Sequence, residues 1–254
     1  MPACRILVDS PRDGAWNMAV DEVLLDRAAA EQRTQLRFYA WSVPTLSLGY
    51  FQSIADRASH RPSCECPLVR RASGGGAILH DREITYSLAV AGGSGKDSFA
   101  LYHRVHLALV EMLSRFGVRA TLVDFPGRAG HTGVGRSEVG AAPHLLCFQR
   151  RAIGDVLIGE DKVVGSAQRR SRGALLQHGS ILLATSPAAP ELPGINDLAS
   201  LNLERAEWLS EIQSALVRTL NCSASQEPMT EQEALAVADL AAGKYGRCEW
   251  NARR

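Results

Sequence analysis

Apolar residues recur at helical spacing in four segments of the chain, and these segments are predicted helices. Asp13 can cap the first, whose stripe is Trp16, Val20, Val23 or Leu24, and Arg27 or Ala28. The second covers about residues 98–116, with Leu101, Val105, Leu109, Met112 and Phe116 in line and Gly117 as its stop. The third has the stripe Trp208, Ile212, Ala215 or Leu216, and Leu220. Thr230-Glu-Gln-Glu233 is a capping box that begins the fourth, which runs toward Lys244.

Strands are predicted between these helices. Residues 83–90 alternate, with Ile84, Tyr86, Leu88 and Val90 on one face and Thr85 and Ser87 on the other. Shorter strands are predicted at residues 36–41, 45–48, 145–148, 155–158, 162–169 and 174–183. The glycine-rich segment from Phe125 to Pro143 is predicted to be a long surface loop that covers a site.

This mixture of elements predicts an α+β fold, with a mixed central β-sheet, flanking helices and a small C-terminal helical lobe. Prolines at positions 187, 190 and 193 mark a change in the pattern. We therefore expect a catalytic domain at residues 1–190 and a helical extension, packed on it, at residues 191–254.

Composition excludes several classes of function. The net charge is +1, so no overall field favours nucleic acid as a partner. The N-terminus lacks the pattern of a signal peptide, and no apolar run is long enough to cross a membrane. Six cysteines are too few for a disulfide framework, which favours reduced thiols and the cytoplasm. Cys64 and Cys66 have no second ligand pair, so no metal is expected.

A glycine-rich motif follows two arginines in Arg70-Arg71-Ala72-Ser73-Gly74-Gly75-Gly76 and runs into an apolar strand. Consecutive glycines let the backbone approach a ligand closely, and free amides there can hold an anion. The arginines add the charge that a phosphate or a carboxylate needs. The alternative is a tight turn with incidental surface arginines.

A thiol and a lysine stand fifteen residues apart, at Cys147 and Lys162. A reactive cysteine needs a nearby cation that stabilises its thiolate. Lys162, Arg150 and His178 are candidates, while the apolar neighbours of Cys147 also fit a buried structural thiol. Lys162 begins a strand, and its long side chain is not expected to belong to the core. His178 is equally consistent with a core histidine.

Three motifs in order resemble the lipoate-protein ligase and octanoyltransferase family, which has the biotin/lipoyl-ligase catalytic fold. They are Arg-Arg-x-Ser-Gly-Gly-Gly-Ala-x-x-His-Asp, Lys-Val-x-Gly-Ser-Ala-Gln and Gln-His-Gly-Ser, and the likeness covers nearly the whole chain. The Cys147-Phe148 dipeptide is similar to the LipM type of octanoyltransferase. After it, however, the chain has Gln149-Arg-Arg-Ala-Ile-Gly where those transferases have a Pro-Ser-aromatic segment.

The resemblance implies an octanoyltransferase of lipoate biosynthesis, which moves octanoyl from acyl carrier protein to a lysine of an apo-lipoyl domain. The acceptor would be the glycine cleavage H protein or a 2-oxoacid dehydrogenase E2. Cys147 and Lys162 carry over as catalytic residues, with no cofactor. Residues implied to bind the acyl group or substrate are Arg71, Ser73, Gly74, Gly75, Gly76, Ala77, Ile78, Leu79, His80, Gly165, Ser166, Ala167, His178 and Gly179.

Two other hypotheses remain open. An ATP-dependent lipoate-protein ligase would act through lipoyl-AMP, would need ATP and Mg, and would not need Cys147. A non-catalytic subunit would bind lipoyl domains without turnover, and the presence of both Cys147 and Lys162 argues against it.

Overall fold

The computed structural model describes residues 2–92, 95–124 and 145–253, and the side chains of residues 95–97 lie outside this description. The loop predicted from Phe125 to Pro143 also lies outside the described residues. Within the described part, the strands are β1 (Ala3–Val8), β2 (Thr34–Tyr39), β3 (Thr45–Leu48), β4 (Leu68–Arg70), β5 (Ile78–His80), β6 (Glu83–Ala91), β7 (Ala120–Leu122), β8 (Val156–Ile158), β9 (Asp161–Ser171), β10 (Ala174–Leu182) and β11 (Ser223–Gln226).

Eight of these strands form the central sheet, in the order β11-β1-β2-β6-β10-β9-β8-β7. The pairs β11–β1 and β1–β2 are parallel, and the other pairs are antiparallel, so the sheet is mixed as predicted. A smaller sheet has the order β4-β3-β5. Because β4 and β5 flank the glycine-rich motif, the small sheet holds both ends of that loop.

Helices cover both faces of the central sheet. They are α1 (Gly14–Glu31), α2 (Gly95–Arg115), α3 (Ile195–Ala199), α4 (Arg205–Leu220), α5 (Glu231–Leu240) and α6 (Cys248–Asn251), with a π-helical turn at Ala241–Tyr245. The sheet residues Phe38, Tyr86 and Leu88 share one core with α2 and α4. Residues of α1 share another core with Tyr39 and with α5. The α+β architecture with flanking helices is therefore confirmed.

The start of α1 agrees with the sequence pattern. The Asp13 side chain accepts a hydrogen bond from the Trp16 amide, which satisfies one of the free N–H groups of the first turn. The face of the sheet beneath α1 is polar, because Thr85 and Ser87 alternate with the apolar residues of β6. Both are buried, since α1 covers the face that the alternation alone would leave to solvent.

One predicted strand is wrong. Of residues 145–148, only Leu146 makes a β-bridge, to Ala77, and the chain then turns into a 3₁₀ helix at Cys147–Gln149. The amides of Gln149 and Arg150 bond back to the carbonyls of Leu146 and Cys147, at 3.2 and 3.1 Å. These local bonds replace the ladder that a strand would need.

A β-bulge interrupts the hairpin of β8 and β9. Val156 is opposite Val164 and Leu157 is opposite Lys162, so Val163 is an extra residue without a partner across the ladder. A bulge changes which face of the strand the neighbouring side chains occupy. It lies immediately beside Lys162.

The segment from residue 191 onward contributes α3, α4, α5 and α6. It also contributes β11, which extends the central sheet by pairing with β1. Arg5 of β1 donates two buried hydrogen bonds to Glu233 of α5, at 2.7 and 2.9 Å. The domain boundary at residue 190 stays a prediction.

Candidate active site

Cys147 lies on the 3₁₀ turn, where the glycine-rich loop holds its backbone. Its amide donates to the Ala77 carbonyl at 2.7 Å, and the Ala77 amide donates to Leu145 at 3.1 Å. A Cβ added to Gly76 would lie 3.2 Å from the Cys147 Cα. Glycine at position 76 therefore lets the loop pack directly against the cysteine.

The ammonium group of Lys162 lies beside the Cys147 thiol. Its Nζ is 3.6 Å from Sγ and 3.4 Å from the Cys147 carbonyl oxygen. On its other side, Nζ is 2.7 Å from Oδ2 of Asp155, and both side chains are at most 3% exposed. The expectation that Lys162 stays outside the core is therefore wrong. A buried carboxylate fixes its ammonium, since a buried charge needs a partner.

Gly165 leaves the space that the Lys162 side chain occupies. A Cβ on Gly165 would be 2.5 Å from Lys162 Cε and 2.9 Å from Nζ. In a regular strand, residues three apart point to opposite faces. Here the bulge at Val163 turns Lys162 to the same face as Gly165, which places the ammonium over the sheet.

Helix α2 holds Asp155 in place. The Tyr102 hydroxyl donates to Asp155 Oδ1 at 2.8 Å, and the Ala152 amide donates to Oδ2 at 2.7 Å. His106 Nδ1 is 2.6 Å from the Gly154 carbonyl oxygen, which requires Nδ1 to donate. Burial lowers the pKa of His106 to about 4. The neutral ring can accept from Ser166 through Nε2, at 2.7 Å.

Arg71 is buried beneath the glycine-rich loop and holds the loop backbone through hydrogen bonds. Its guanidinium donates to the carbonyl oxygens of Gly76 at 2.8 Å and of Gly74 at 3.3 Å. It also donates to the Ser47 carbonyl at 2.9 Å and the Ser47 hydroxyl at 2.5 Å. Burial lowers the pKa of Arg71 to about 10. Between these bonds, Gly75 has φ +94°, which side-chain-bearing residues rarely adopt.

Ser73, His178 and Asp21 form a buried hydrogen-bonded chain. Ser73 Oγ is 2.5 Å from His178 Nε2, and His178 Nδ1 is 2.9 Å from Asp21 Oδ2. Because a carboxylate only accepts, Nδ1 of His178 donates to it. Burial alone would raise the pKa of Asp21, but the bond from His178 and the charge of Arg37 outweigh it and the pKa is lowered. This chain fixes the start of the loop to α1.

The two strands β9 and β10 divide the remaining predicted residues between two faces. Ala167 is opposite His178, and Gly165 lies two residues from Ala167, so these three share the face of Lys162. Ser166 and Gly179 point to the other face, under α2. There, Ser166 Oγ is 2.7 Å from the Tyr86 hydroxyl, and a Cβ on Gly179 would be 2.2 Å from Ser166 Oγ.

The side chains of β5, the strand after the loop, also point to different surroundings. Ile78 packs with Phe148 and Leu182, next to Cys147. Leu79 points away, into the core cluster that contains Leu46 and Leu146. The ring of His80 is stacked on that of Trp41, with ring centroids 3.9 Å apart. Its Nε2 is 2.6 Å from Ser47 Oγ, and its Nδ1 is 2.7 Å from Glu83.

A narrow cavity lies next to Ser73 and His178. Its apolar lining is Met18, Leu25, Ala72 and Leu176, and its accessible volume is about 10 Å³. That is room for about one water molecule.

Sequence reasoning missed several residues of this site. Asp155 was predicted only as the start of a strand, although it binds Lys162. Asp21 carried a signal, because Asn17 and Asp21 are polar residues four apart on a mostly apolar helix and so share one face. Tyr102 and His106 are likewise four apart on α2. Neither pair was assigned a role.

Two features of the described residues bear on other functions. In that part of the chain, no group of three His, Cys, Asp or Glu side chains is arranged to hold a metal ion. No helix there combines the length and apolar character needed to cross a membrane. All six cysteines are free thiols.

Comparisons with known proteins show which family the chain resembles. The Lipoyl protein ligase A/B catalytic domain family matches residues 13–221. Octanoyltransferase LipM of Kyrpidia tusciae is 38% identical over 202 residues, which are 74% of this chain and 69% of that protein. Octanoyltransferase LipM of Oceanobacillus iheyensis is 35% identical over 184 residues, 70% of this chain. That alignment spans 63% of the Oceanobacillus protein.

A solved structure has the same fold. It is the bi-partite lipoate protein ligase of Thermoplasma acidophilum, from a study of that ligase and its E2 lipoyl domain. The TM-score is 0.77 at 20% identity, over 99% of this chain and 97% of that chain.

Proposed function

The chain belongs to the Lipoyl protein ligase A/B catalytic domain family, and we propose that it is an octanoyltransferase that works through a thioester on Cys147. The relatives that carry the name octanoyltransferase support this activity. The observation that carries the mechanism is the ammonium of Lys162, 3.6 Å from the Cys147 sulfur.

Lys162 supplies a fixed positive charge at the thiol. A cation beside a cysteine stabilises the thiolate, which is the nucleophilic form. The Asp155 carboxylate holds Nζ in place, so the charge does not have to be positioned during the reaction. The second role of the ammonium is to donate a hydrogen bond to the acyl carbonyl oxygen as negative charge develops there.

The first half-reaction acylates the enzyme. The Cys147 sulfur attacks the carbonyl carbon of octanoyl-acyl carrier protein and forms a carbon–sulfur bond. The bond from that carbon to the carrier's sulfur breaks, and the proton of the Cys147 thiol ends on the carrier's thiol. No ATP, metal or other cofactor enters this balance, which is why we propose that the reaction needs none.

The second half-reaction moves the acyl group to the acceptor. The amine of a lysine on an apo-lipoyl domain, of the glycine cleavage H protein or a 2-oxoacid dehydrogenase E2, attacks the thioester. An amide bond forms, the bond to Cys147 breaks, and one amine proton returns to the thiol. Two acyl transfers of this kind each have a lower barrier than direct transfer between two proteins.

The acyl chain is proposed to lie on the face of β9 that carries Gly165 and Ala167, beneath the glycine-rich loop. It would extend toward the apolar lining of the narrow cavity, where each buried CH₂ contributes about 0.8 kcal/mol. The cavity holds about 10 Å³, so its side chains must move apart to admit the chain. We propose the cytoplasm as its location, which the six free cysteines support.

The decisive experiment is intact-protein mass measurement after mixing with octanoyl-acyl carrier protein and no ATP. We expect the mass of one octanoyl group to be added and hydroxylamine to remove it. Cys147→Ser should abolish this labelling. Normal transfer to a lipoyl domain by Cys147→Ala would show that the thioester mechanism is wrong.

The ATP-dependent ligase is tested with the same proteins. Wild type and Cys147→Ala are mixed with Mg-ATP, free octanoate or lipoate, and an apo-lipoyl domain. We expect no modification of the domain from the free acids. Efficient lipoylation by Cys147→Ala would assign the chain to the ligases instead.

A further inference from the structure

A second pocket lies near the C-terminus, outside the site described above. This C-terminal basic pocket is open, has a volume of about 430 Å³ and is lined by Gly243, Lys244, Arg247, Glu249, Trp250 and Arg253. Three of its four charged side chains are positive. Neither the proposed acyl transfer nor the glycine-rich motif accounts for this cluster.

Among the described residues, two of the three cations have no carboxylate partner. Lys244 is paired with Glu22 at 2.5 Å. Within the described part of the chain, the Arg247 side chain forms no hydrogen bond or ion pair and is exposed. The Arg253 guanidinium is 4.5 Å from the centre of the Tyr50 ring and 4.8 Å from that of Trp250. Two guanidinium groups beside an aromatic surface are suited to bind a phosphate.

Hydrogen bonds join the pocket to the start of the glycine-rich loop. The indole Nε1 of Trp250 donates to the Arg70 carbonyl at 2.9 Å. Arg70 in turn donates to Asn251 from its amide at 2.7 Å and from its guanidinium at 2.9 Å. Arg70 is the residue immediately before the loop, so these bonds connect the pocket directly to the start of the loop.

Aromatic side chains continue the surface from the pocket toward the reaction site. The rings of Trp250 and Tyr50 have centroids 5.9 Å apart, and those of Tyr50 and Phe51 are 4.9 Å apart. Phe51 is 69% exposed. Its ring also borders Gly74, where an added Cβ would be 3.9 Å away. An exposed apolar path from a basic pocket to a reactive loop fits a long flexible substrate arm.

The length of such an arm agrees with the spacing. Gly76 packs against Cys147. The seven residues from Arg70 to Gly76 make six steps, which together span at most about 20 Å. A phosphopantetheine arm is about as long as five extended residues, roughly 17 Å from phosphate to sulfur. The arm is therefore comparable in length to the largest separation that the loop permits between its two ends, of which one lies beside Trp250 and the other beside Cys147.

We propose that the C-terminal basic pocket binds the phosphate of the phosphopantetheine arm of the acyl donor, through Arg247 and Arg253. This inference rests on the proposed function, because it takes a carrier-bound thioester as the donor. The arm lies along Tyr50 and Phe51, and its thioester enters beneath the glycine-rich loop.

Two small donors that differ only in the phosphate test this inference. Octanoyl-4′-phosphopantetheine and octanoyl-pantetheine are each mixed with the enzyme, and the rate of Cys147 acylation is followed by intact mass. We expect wild type to prefer the phosphorylated donor at least about tenfold in kcat/KM, the size expected for charge-assisted hydrogen bonds. Arg247→Ala should remove most of this preference, and Arg247→Ala/Arg253→Ala should remove the rest.

Arg218→Ala is the matched control, because Arg218 is an exposed arginine on α4, on the opposite face of the sheet. It should keep the wild-type preference. Equal rates with both donors in wild type, or an unchanged preference in the double variant, would overturn the inference and leave the thioester mechanism standing. Slower transfer to the lipoyl domain with donor preference intact would assign the pocket to the acceptor and also overturn it. Absence of Cys147 acylation from both donors refutes the proposed function, and this inference with it.

Discussion

Asp155 and Lys162 form an ion pair inside the protein, with Oδ2 and Nζ 2.7 Å apart and almost no exposure of either side chain. Removing one member of a buried pair leaves the other charge without compensation, which costs about 3–5 kcal/mol. The pair therefore connects the stability of the fold with the position of the ammonium at Cys147.

The first prediction concerns the stability of Asp155→Asn. We expect its free energy of unfolding in urea at neutral pH to be about 3 kcal/mol below that of wild type, because the Lys162 ammonium loses its carboxylate. Glu211→Gln is the control, since Glu211 and Arg115 form an exposed pair with side chains 42% and 47% exposed. It should change stability by less than about 1 kcal/mol. Similar losses in both variants would contradict the structural role of the buried pair.

A second prediction tests the position of the ammonium with one methyl group. In Gly165→Ala, the new Cβ meets Lys162 Cε at 2.5 Å, so the lysine must leave its place over the sheet. We expect the rate of Cys147 acylation to fall by a factor on the order of a hundred, as for loss of a positioned catalytic charge. The control is Gly117→Ala, just after α2, whose new Cβ has no atom within 4 Å. Its φ of +73° costs some stability, but Lys162 keeps its place, so the rate should stay at the wild-type value. A normal rate in Gly165→Ala would argue against Lys162 as the catalytic cation.

The third prediction compares two thiols of similar partial burial. Cys147 lies 3.6 Å from an ammonium, whereas Cys64 lies 3.5 Å from the carboxylate of Glu65. Because the thiolate is the reactive form, brief treatment with iodoacetamide at neutral pH should alkylate Cys147 first, as read by peptide mass spectrometry. In Lys162→Met this advantage should disappear. Faster labelling of Cys64 in wild type would contradict the activation of Cys147.

The fourth prediction is a pH dependence that arises from His106. Burial lowers its pKa from 6.5 to about 4, so only the unfolded chain binds a proton between these values. The stability that neutral His106 contributes is thus complete above pH 6.5 and is lost as the pH falls to 4, by about 3 kcal/mol in total.

Unfolding free energies of wild type and His106→Gln, measured across this range, should converge toward low pH. His103→Gln, on the same helix at a half-buried position, should follow the wild-type slope. A constant difference between wild type and His106→Gln would show that His106 is not held in its neutral form.

The sequence was sufficient for the elements with a strong period and for the residues of the main motifs. The stripe from Leu101 to Met112 gave α2, and alternation gave β6. The sequence indicates Cys147 and Lys162 by their chemistry, as a thiol and an amine, and folding brings the two side chains together. The strand prediction for residues 145–148 was wrong because an apolar run is typical of a strand, while the amides of Gln149 and Arg150 bond locally to the carbonyls of Leu146 and Cys147. The strand Ser223–Gln226 was not predicted, for the opposite reason. Its four residues are exposed and show no alternation, so only pairing with β1 makes it a strand.

Asp155 could not be assigned to Lys162 from spacing alone. Period-two reasoning places Lys162 and Gly165 on opposite faces of β9, and it contains no information about an unpaired residue between them. The bulge depends on how β8 and β9 align, which is a property of the hairpin and not of either strand. Similarly, the contact between Ser73 and His178 joins residues 105 positions apart, through the packing of the loop on the sheet.

The bulge at Val163 also defines which length changes in the gene this enzyme can survive. Deleting that single codon would leave Lys162 two positions from Gly165 in an uninterrupted hairpin, so the lysine would still emerge on the face of the thiol. Adding one codon to β8 opposite Val163 has the contrary effect. The valine would gain a partner, the alternation would become regular, and the lysine would emerge on the side of the sheet that faces α2. Among functional descendants, loss of Val163 should therefore be tolerated more often than a one-residue insertion in β8.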